Sequence, residues 1–285
     1  MKKIVIFGVG LIGGSVALAL KKADENTHII GVDSISVLNK AMKLRVIDEK
    51  NSNLKSSLED ANIVILATPV SKISSILKEI KHYIEPYTII TDVGSTKLDV
   101  IEAVNNAFSE DQRCQFVPGH PIAGAEKSGV SAAKADMFIN KAAVLTPIEN
   151  NKNLIIIQSL WKSIGAIPVI MSAAEHDQIF ASVSHLPHLL AFALVDELSS
   201  RHNADELFAF AASGFRDFTR IAGSNPEMWR DISLANRNAL ITEISAFKNK
   251  LDELNKLLEK SDGKSLLKLF ERASVTRNNW ANGKK

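Results

Sequence analysis

Hydrophobic positions in the first 170 residues fall into short continuous runs, each followed by a stretch with helical spacing. The runs are KIVIF (Lys3–Phe7), HIIGV (His28–Val32), NIVILA (Asn62–Ala67), TIIT (Thr88–Thr91), CQFVP, a run near Ala142–Thr146 and a last one at Ala166–Ile170. They are rich in β-branched residues, the pattern of buried parallel strands. The amphipathic stretches predict helices from Leu11 to about Lys22, over Ile35–Leu44, from Pro69 to about His82, and over Lys97–Ala107 and Asn151–Ile164. Strands alternating with helices at this spacing predict an α/β fold with a doubly wound parallel sheet, over residues 1–170.

After about Ile170 the strand-like runs stop and helical periodicity takes over. Helices are expected at Ala173–Ser200, Ala204–Ala212, Pro226 to about Lys260 and Ser265–Trp280. Leu240, Ile244, Phe247, Leu251, Leu254 and Leu258 recur every three or four residues, a stripe that faces a core or a partner. So much apolar helix points to an all-α dimerisation domain over 171–285 and a homodimer, although a monomeric bundle carries the same stripe.

Composition narrows the class. The chain has 285 residues, 46% of them hydrophobic, and a net charge of +2, so bulk electrostatics give no reason to expect a nucleic-acid partner. Cys114 is the single cysteine, which excludes an internal disulfide and a cysteine metal cluster and fits a reducing compartment. The start, MKKIVIFGVG, superficially resembles a signal peptide, but its glycines fit a strand–turn–helix better. No apolar run reaches about 18 residues. The expectation is a cytoplasmic protein without a transmembrane helix or membrane partner.

The first candidate site follows the first strand. Gly8-Val9-Gly10-Leu11-Ile12-Gly13 is G-x-G-x-x-G directly after a strand and before a helix, the context in which the glycines admit a pyrophosphate. Asp33 ends the next strand, where a carboxylate bonds ribose hydroxyls and repels a 2′-phosphate, favouring NAD over NADP. The alternative for Asp33 is a helix N-cap. Thr68 and Pro69 end another strand and join the cofactor set. Ser95 and Thr96, after the fourth strand, either cap a helix or put a hydroxyl near nicotinamide or substrate; both readings stand.

The stretch VPGHPIAGAEKSG centres on His120, between Gly119 and Pro121. It is expected at the carboxyl end of a sheet strand, where a histidine can take a proton near neutral pH. Two polar clusters interrupt the helical half. Ser184-His185-Leu186-Pro187-His188 has two histidines three apart, without a carboxylate or cysteine at matching spacing, so no metal is expected. Phe215–Arg220 and Asn225–Asp231 alternate arginines with carboxylates and aromatics. They form a solvated face or a fork that grips a carboxylate in two bonds.

Taken together, GVGLIGGS, DVGSTK, GHPIAGAEKSG, SHLPH and the run FRDFTRIA…NPEMWRDI resemble the prephenate dehydrogenases and their arogenate-using relatives, in order along nearly the whole chain. The resemblance implies a Rossmann domain, a helical substrate-binding and dimerisation domain, NAD, and prephenate as substrate. It implies that His120 accepts the proton of the ring 4-hydroxyl and that Ser95 contacts the same hydroxyl. Arg220 would bind a substrate carboxylate, Glu126 and Asp217 would form an ionic network with it, and His188 would lie near the substrate side chain. A stand-alone dehydrogenase is expected, with tyrosine a candidate competitor at the active site. The other functions considered are arogenate oxidation, a β-hydroxyacid-type dehydrogenase using Lys97 or Lys127, and an NAD-binding sensor without turnover.

Overall fold

The computed structural model describes residues 2–51, 53–125, 127–149 and 152–283. Six strands build its main sheet: β1 (Lys2–Phe7), β2 (Thr27–Val32), β3 (Glu49–Lys50), β4 (Ile63–Leu66), β5 (Ile89–Asp92) and β6 (Phe116–Val117). They stand in the order β3-β2-β1-β4-β5-β6, with every pairing parallel. The chain reverses its direction of travel across the sheet between β1 and β4, the switch point at whose carboxyl ends sheets of this kind bind their ligands. Helices α1 (Leu11–Ala23), α2 (Ile35–Lys43), α3 (Leu54–Leu58), α4 (Val70–Ile80), α5 (Leu98–Ala107) and α6 (Glu110–Arg113) connect the strands.

Side chains alternate across the pleat, so the continuous apolar runs supply two cores. Ile4 and Ile6 of β1 join Val16, Leu20 and Trp161 on one face. Val5 and Phe7 join Ile73, Leu77 and Val104 on the other. The elements that pattern reading missed, β3, α3 and α6, are too short to show a period.

One departure bears directly on the site. The parallel sheet stops at Val117, and the chain turns at Pro118 into β7 (Gly119–Pro121). β7 pairs antiparallel with β8 (Ala142–Leu145), and β8 pairs parallel with β9 (Ile167–Ile170), forming a separate three-stranded sheet. His120 follows the carboxyl end of β6, as expected, but it stands in a second strand rather than in a loop: it lies within β7, opposite Val144. Proline has no N–H to extend a ladder, and the Pro118 carbonyl instead accepts from Thr146 N at 3.0 Å. Helix α7 (Lys152–Ser163) crosses between β8 and β9 and buries Trp161.

The expected helix Ala173–Ser200 is one run with a widened centre: α8 (Ala173–Phe180), a π-helical turn at Ala181–His185, and α9 (Leu186–Ser199). The helical run Ala173–Ser199 contains an 18-residue window of mean hydropathy 1.4, enough by length and composition alone to cross a membrane, against the expectation that no stretch is. It also carries three buried polar side chains, His176, Asp177 and His185. α10 (Ala204–Ala209), α11 (Ser213–Thr219), a 3-10 turn at Arg220–Gly223 and α12 (Pro226–Ala235) follow. The expected helix from Pro226 to Lys260 breaks at Asn236, whose side chain is drawn into hydrogen bonds with the α8–α9 run.

Residues 1–237 form one compact unit and 238–285 a second. The second holds most of α13 (Arg237–Glu259) and α14 (Gly263–Ala281), joined by a turn in which Asp262 accepts from Ser265 N at 3.0 Å. Along α13 the apolar stripe is buried at Leu240 but exposed at Leu251 and Leu258.

Candidate active site

The turn after β1 is built for close approach. Gly8 has φ +88°, and a Cβ there would stand 2.4 Å from the Ala67 carbonyl oxygen. A Cβ on Gly13 would stand 2.0 Å from the Gly8 carbonyl oxygen, so only glycine fits at either position. Gly10 has nothing within 4 Å of its Cβ direction. It is also the N-cap of α1 and brings no side chain to the first amides, those of Leu11, Ile12 and Gly13. Open space in front of uncapped amides suits a pyrophosphate.

Asp33 stays at the end of β2. Its Oδ2 accepts from Val9 N at 2.8 Å and its Oδ1 from Ser34 N at 2.6 Å. It does not cap α2, whose N-cap is Ser34. Across the crevice Thr68 keeps a buried hydroxyl with no hydrogen-bond partner, and Pro69 is the N-cap of α4. These features fit a dinucleotide.

His120 stands at the head of a buried chain. Its Nδ1 lies 2.8 Å from His176 Nε2, and His176 Nδ1 lies 2.7 Å from Asp177 Oδ1. The carboxylate can only accept, so His176 donates from Nδ1 and accepts at Nε2, and His120 donates from Nδ1. That tautomer leaves the lone pair of His120 on Nε2. Asp177 is held in turn by the amides of Lys97 and Leu98, each at 2.9 Å. These amides open α5, so Asp177 caps that helix from 80 residues away, a task that neither Ser95 nor Thr96 performs. His176 is fully buried, and Phe180 packs its ring against both His120 and His176.

Beneath His120 lies a buried ion pair. Lys97 and Asp92 are both fully buried and bonded to each other. Asp92 Oδ1 accepts from Gly119 N at 3.0 Å, and Lys97 Nζ donates to the Gly119 carbonyl at 2.8 Å. The pair thus grips both sides of the residue preceding His120. Burial first, then the fields of His176, Lys97 and His185, hold His120 well below the usual histidine range. His120 is neutral at neutral pH, the state a base requires.

The other end of the site is lined from α8–α12. Asn236 Nδ2 donates to the Asp177 carbonyl at 2.7 Å and to His185 Nδ1 at 3.1 Å. His185 lies beside the Ser95 backbone, and burial pushes its pKa down to about 4. Ser95 itself is half-buried in the turn that leaves β5. His188 donates from Nδ1 to the Ser184 carbonyl at 2.9 Å and stacks on Trp229, with ring centroids 3.6 Å apart. Burial lowers its pKa, and the charge of Arg220 lowers it further. Arg220 is exposed, at the start of the 3-10 turn. Asp217 is exposed and forms no ion pair with Arg220 among the described residues. Glu126 lies outside the described residues.

The sequence points to His120, Ser95, His188 and Arg220, whereas His176, Asp177, Asn236 and Trp229 emerge as site residues only from the structure. A signal existed: His176-Asp177 is an adjacent polar pair inside an otherwise apolar helical run. Lys97 was a candidate only for a different chemistry, and its burial against Asp92 makes it a support for β7 instead.

Residues 16–170 match the family profile described as "Prephenate dehydrogenase, nucleotide-binding domain" and residues 172–272 the one described as "Prephenate dehydrogenase, dimerization domain". A prephenate dehydrogenase of Bacillus subtilis is 40% identical over 278 residues, covering 95% of this chain and 74% of the relative. The structure is similar to that of prephenate dehydrogenase from A. aeolicus in complex with hydroxyphenyl propionate and NAD+, with a TM-score of 0.90, 35% identity and 98% of each chain covered. It is also similar to Synechocystis arogenate dehydrogenase, with a TM-score of 0.81, 31% identity, and 98% of this chain and 100% of the other covered.

Proposed function

The chain belongs to the prephenate dehydrogenase family, and from that premise we propose how its own residues carry out the NAD-dependent oxidative decarboxylation of prephenate to 4-hydroxyphenylpyruvate, a step of tyrosine synthesis. The observation that carries the reading is the His120–His176–Asp177 chain, which leaves a neutral histidine with its Nε2 lone pair free.

NAD supplies a hydride acceptor. Gly8, Gly10, Leu11, Ile12 and Gly13 would hold its pyrophosphate, Asp33 its adenosine ribose, and Thr68 and Pro69 the other side of the crevice. Asp33 disfavours a 2′-phosphate by like charge.

His120 Nε2 takes the proton of the ring 4-hydroxyl as C4 loses its hydride. The positive charge that develops on the imidazole is stabilised by the Asp177 carboxylate, with His176 between them accepting the His120 Nδ1 proton in a hydrogen bond, so the base gains a proton without carrying an isolated buried charge. C4 becomes ketonic, the ring carboxylate leaves as CO₂, and the ring becomes aromatic. Ser95 bonds the same hydroxyl and orients it. Arg220 grips a substrate carboxylate with its planar fork, Glu126 and Asp217 tune that end by charge, and His188, set by Trp229, meets the substrate side chain. Tyrosine, which shares the product's phenol and side-chain carboxylate, competes for the same residues.

The domain boundary in this reading falls near residue 170, with substrate binding and dimerisation assigned to 171–285. The exposed apolar stripe of α13 supports a homodimer.

Arogenate is the second reading, favoured by the similarity to the Synechocystis enzyme. The test is steady-state turnover of prephenate and arogenate, each with NAD⁺ and NADP⁺, followed by NAD(P)H absorbance and CO₂ release. Faster turnover of prephenate with NAD⁺ supports the reading. Preference for arogenate replaces the substrate, and preference for NADP⁺ removes the role given to Asp33.

A further inference from the structure

The run from α8 through α9 presents three histidines to the site, and a widened turn makes that possible. His176 and His188 are twelve positions apart, and His176 and His185 nine. In a regular α-helix, at about 100° per residue, His188 would point about 120° away from His176 and His185 about 180° away. The structure instead has a π-helical turn at Ala181–His185, in which Leu186 N donates to the Ala181 carbonyl five residues back. Such a turn absorbs one extra residue, so the offsets shrink to about 20° for His188 and about 80° for His185.

The contacts agree with this arithmetic. Asn236 bridges the Asp177 carbonyl and His185 Nδ1. Trp229 touches both His185 and His188. His185 feels the charges of both His176 and His188.

Pro187 supplies the cause. It occupies the first turn of α9. It has no N–H, and in a regular helix its ring collides with the carbonyl four residues back. That residue is Val183, in the middle of the wide turn. His188 then closes the turn by donating from Nδ1 to the Ser184 carbonyl.

We propose that Pro187 is a positioning residue: it imposes the wide turn, and the wide turn brings His188 into register with His176, so that one helix faces both the proton-accepting end and the side-chain end of the substrate. This rests on the reading above that His188 meets the substrate side chain. The SHLPH motif thereby gains a reason for its proline as well as for its histidines.

The test uses the full-length protein with prephenate and NAD⁺. Three variants are compared: Pro187→Ala, deletion of the exposed Val183, and His188→Asn, with Pro187→Ala/His188→Asn as the fourth arm. In the deletion Pro187 still widens the shortened run, which turns His188 about 80° away from His176, so KM for prephenate is expected to rise roughly tenfold or more while the pH profile of kcat, set by His120, stays in place; an unchanged KM there would show a regular helix that Pro187 does not widen. Pro187→Ala is expected to raise KM in the same direction, and to add nothing to the effect of His188→Asn in the double variant. Unchanged KM in Pro187→Ala, or simple addition of the two effects, overturns the proposal. Should the deletion fail to fold, the Pro187→Ala/His188→Asn cycle decides. A wild-type protein that turns over no prephenate would overturn the functional reading itself, whereas an active wild type with an indifferent Pro187 overturns only the positioning role.

Discussion

His176 stands between His120 and Asp177, accepting from one at 2.8 Å and donating to the other at 2.7 Å. The proton-accepting atom of His120 is defined by a residue that does not touch the substrate. Replacing His176 with Asn removes the acceptor for His120 Nδ1 and frees the tautomer. The expected outcome is a fall in kcat of roughly ten- to a hundredfold, with KM for prephenate and NAD⁺ affinity close to wild type. Steady-state kinetics and NAD⁺ titration measure both; a change confined to KM would show that His176 merely packs the pocket.

The charge of Lys97 holds the pKa of His120 down, after burial and His176. A base works when deprotonated, so its acid limb in kcat/KM is expected below the ordinary histidine value of 6.5. Lys97→Met alone leaves Asp92 charged and buried, at a cost of about 3–5 kcal/mol. The double variant Asp92→Asn/Lys97→Met avoids that, and its acid limb is expected to move toward higher pH. A limb that stays in place would show that the lysine charge does not reach the base.

His185 makes the fold acid-sensitive. Its pKa is pushed down to about 4 by burial and returns to about 6.5 on unfolding. Above about pH 6.5 neither state binds the proton and the full stability is present; between about 6.5 and 4 only the unfolded chain takes it, and stability falls. The gap corresponds to about 3 kcal/mol, and the lowered pKa values of His120, His176 and His188 act in the same direction. Thermal melts are expected to show Tm dropping by on the order of 10 °C across this window. His185→Gln should flatten part of that slope; an equally steep slope in the variant would exonerate His185.

Arg220 lies close enough to His188 to lower its pKa. Arg220→Gln is expected to raise KM for prephenate roughly tenfold or more while kcat changes less, because a carboxylate clamp binds ground and transition states alike. An unchanged KM would move the clamp to Arg216 or Arg230.

The glycine turn was legible because three glycines stood between a strand and a helix, and each of these contexts is local. His120 was legible as a residue but not as a position. Its strand pairs with Ala142–Leu145, and nothing in VPGHP announces a second sheet. His176 and Asp177 escaped for the same reason: their partners, His120 and the amides of Lys97 and Leu98, lie 56 to 80 residues away. Helix periodicity predicted the run Ala173–Ser200 but carries no sign of a wide turn, because Pro187 reads equally well as a helix start. Asn236 breaks a helix that the apolar stripe suggests is continuous, since its amide finds better partners in Asp177 and His185.

The most direct test of the account is the turnover of prephenate with NAD⁺ by wild type and His120→Asn, read as NADH formation under saturating conditions. The account predicts rapid turnover by wild type and a loss of roughly 10²–10⁴ in kcat for the variant, with NAD⁺ affinity unchanged. Near-normal kcat in His120→Asn would contradict the assignment of His120 as the base on which the site is built.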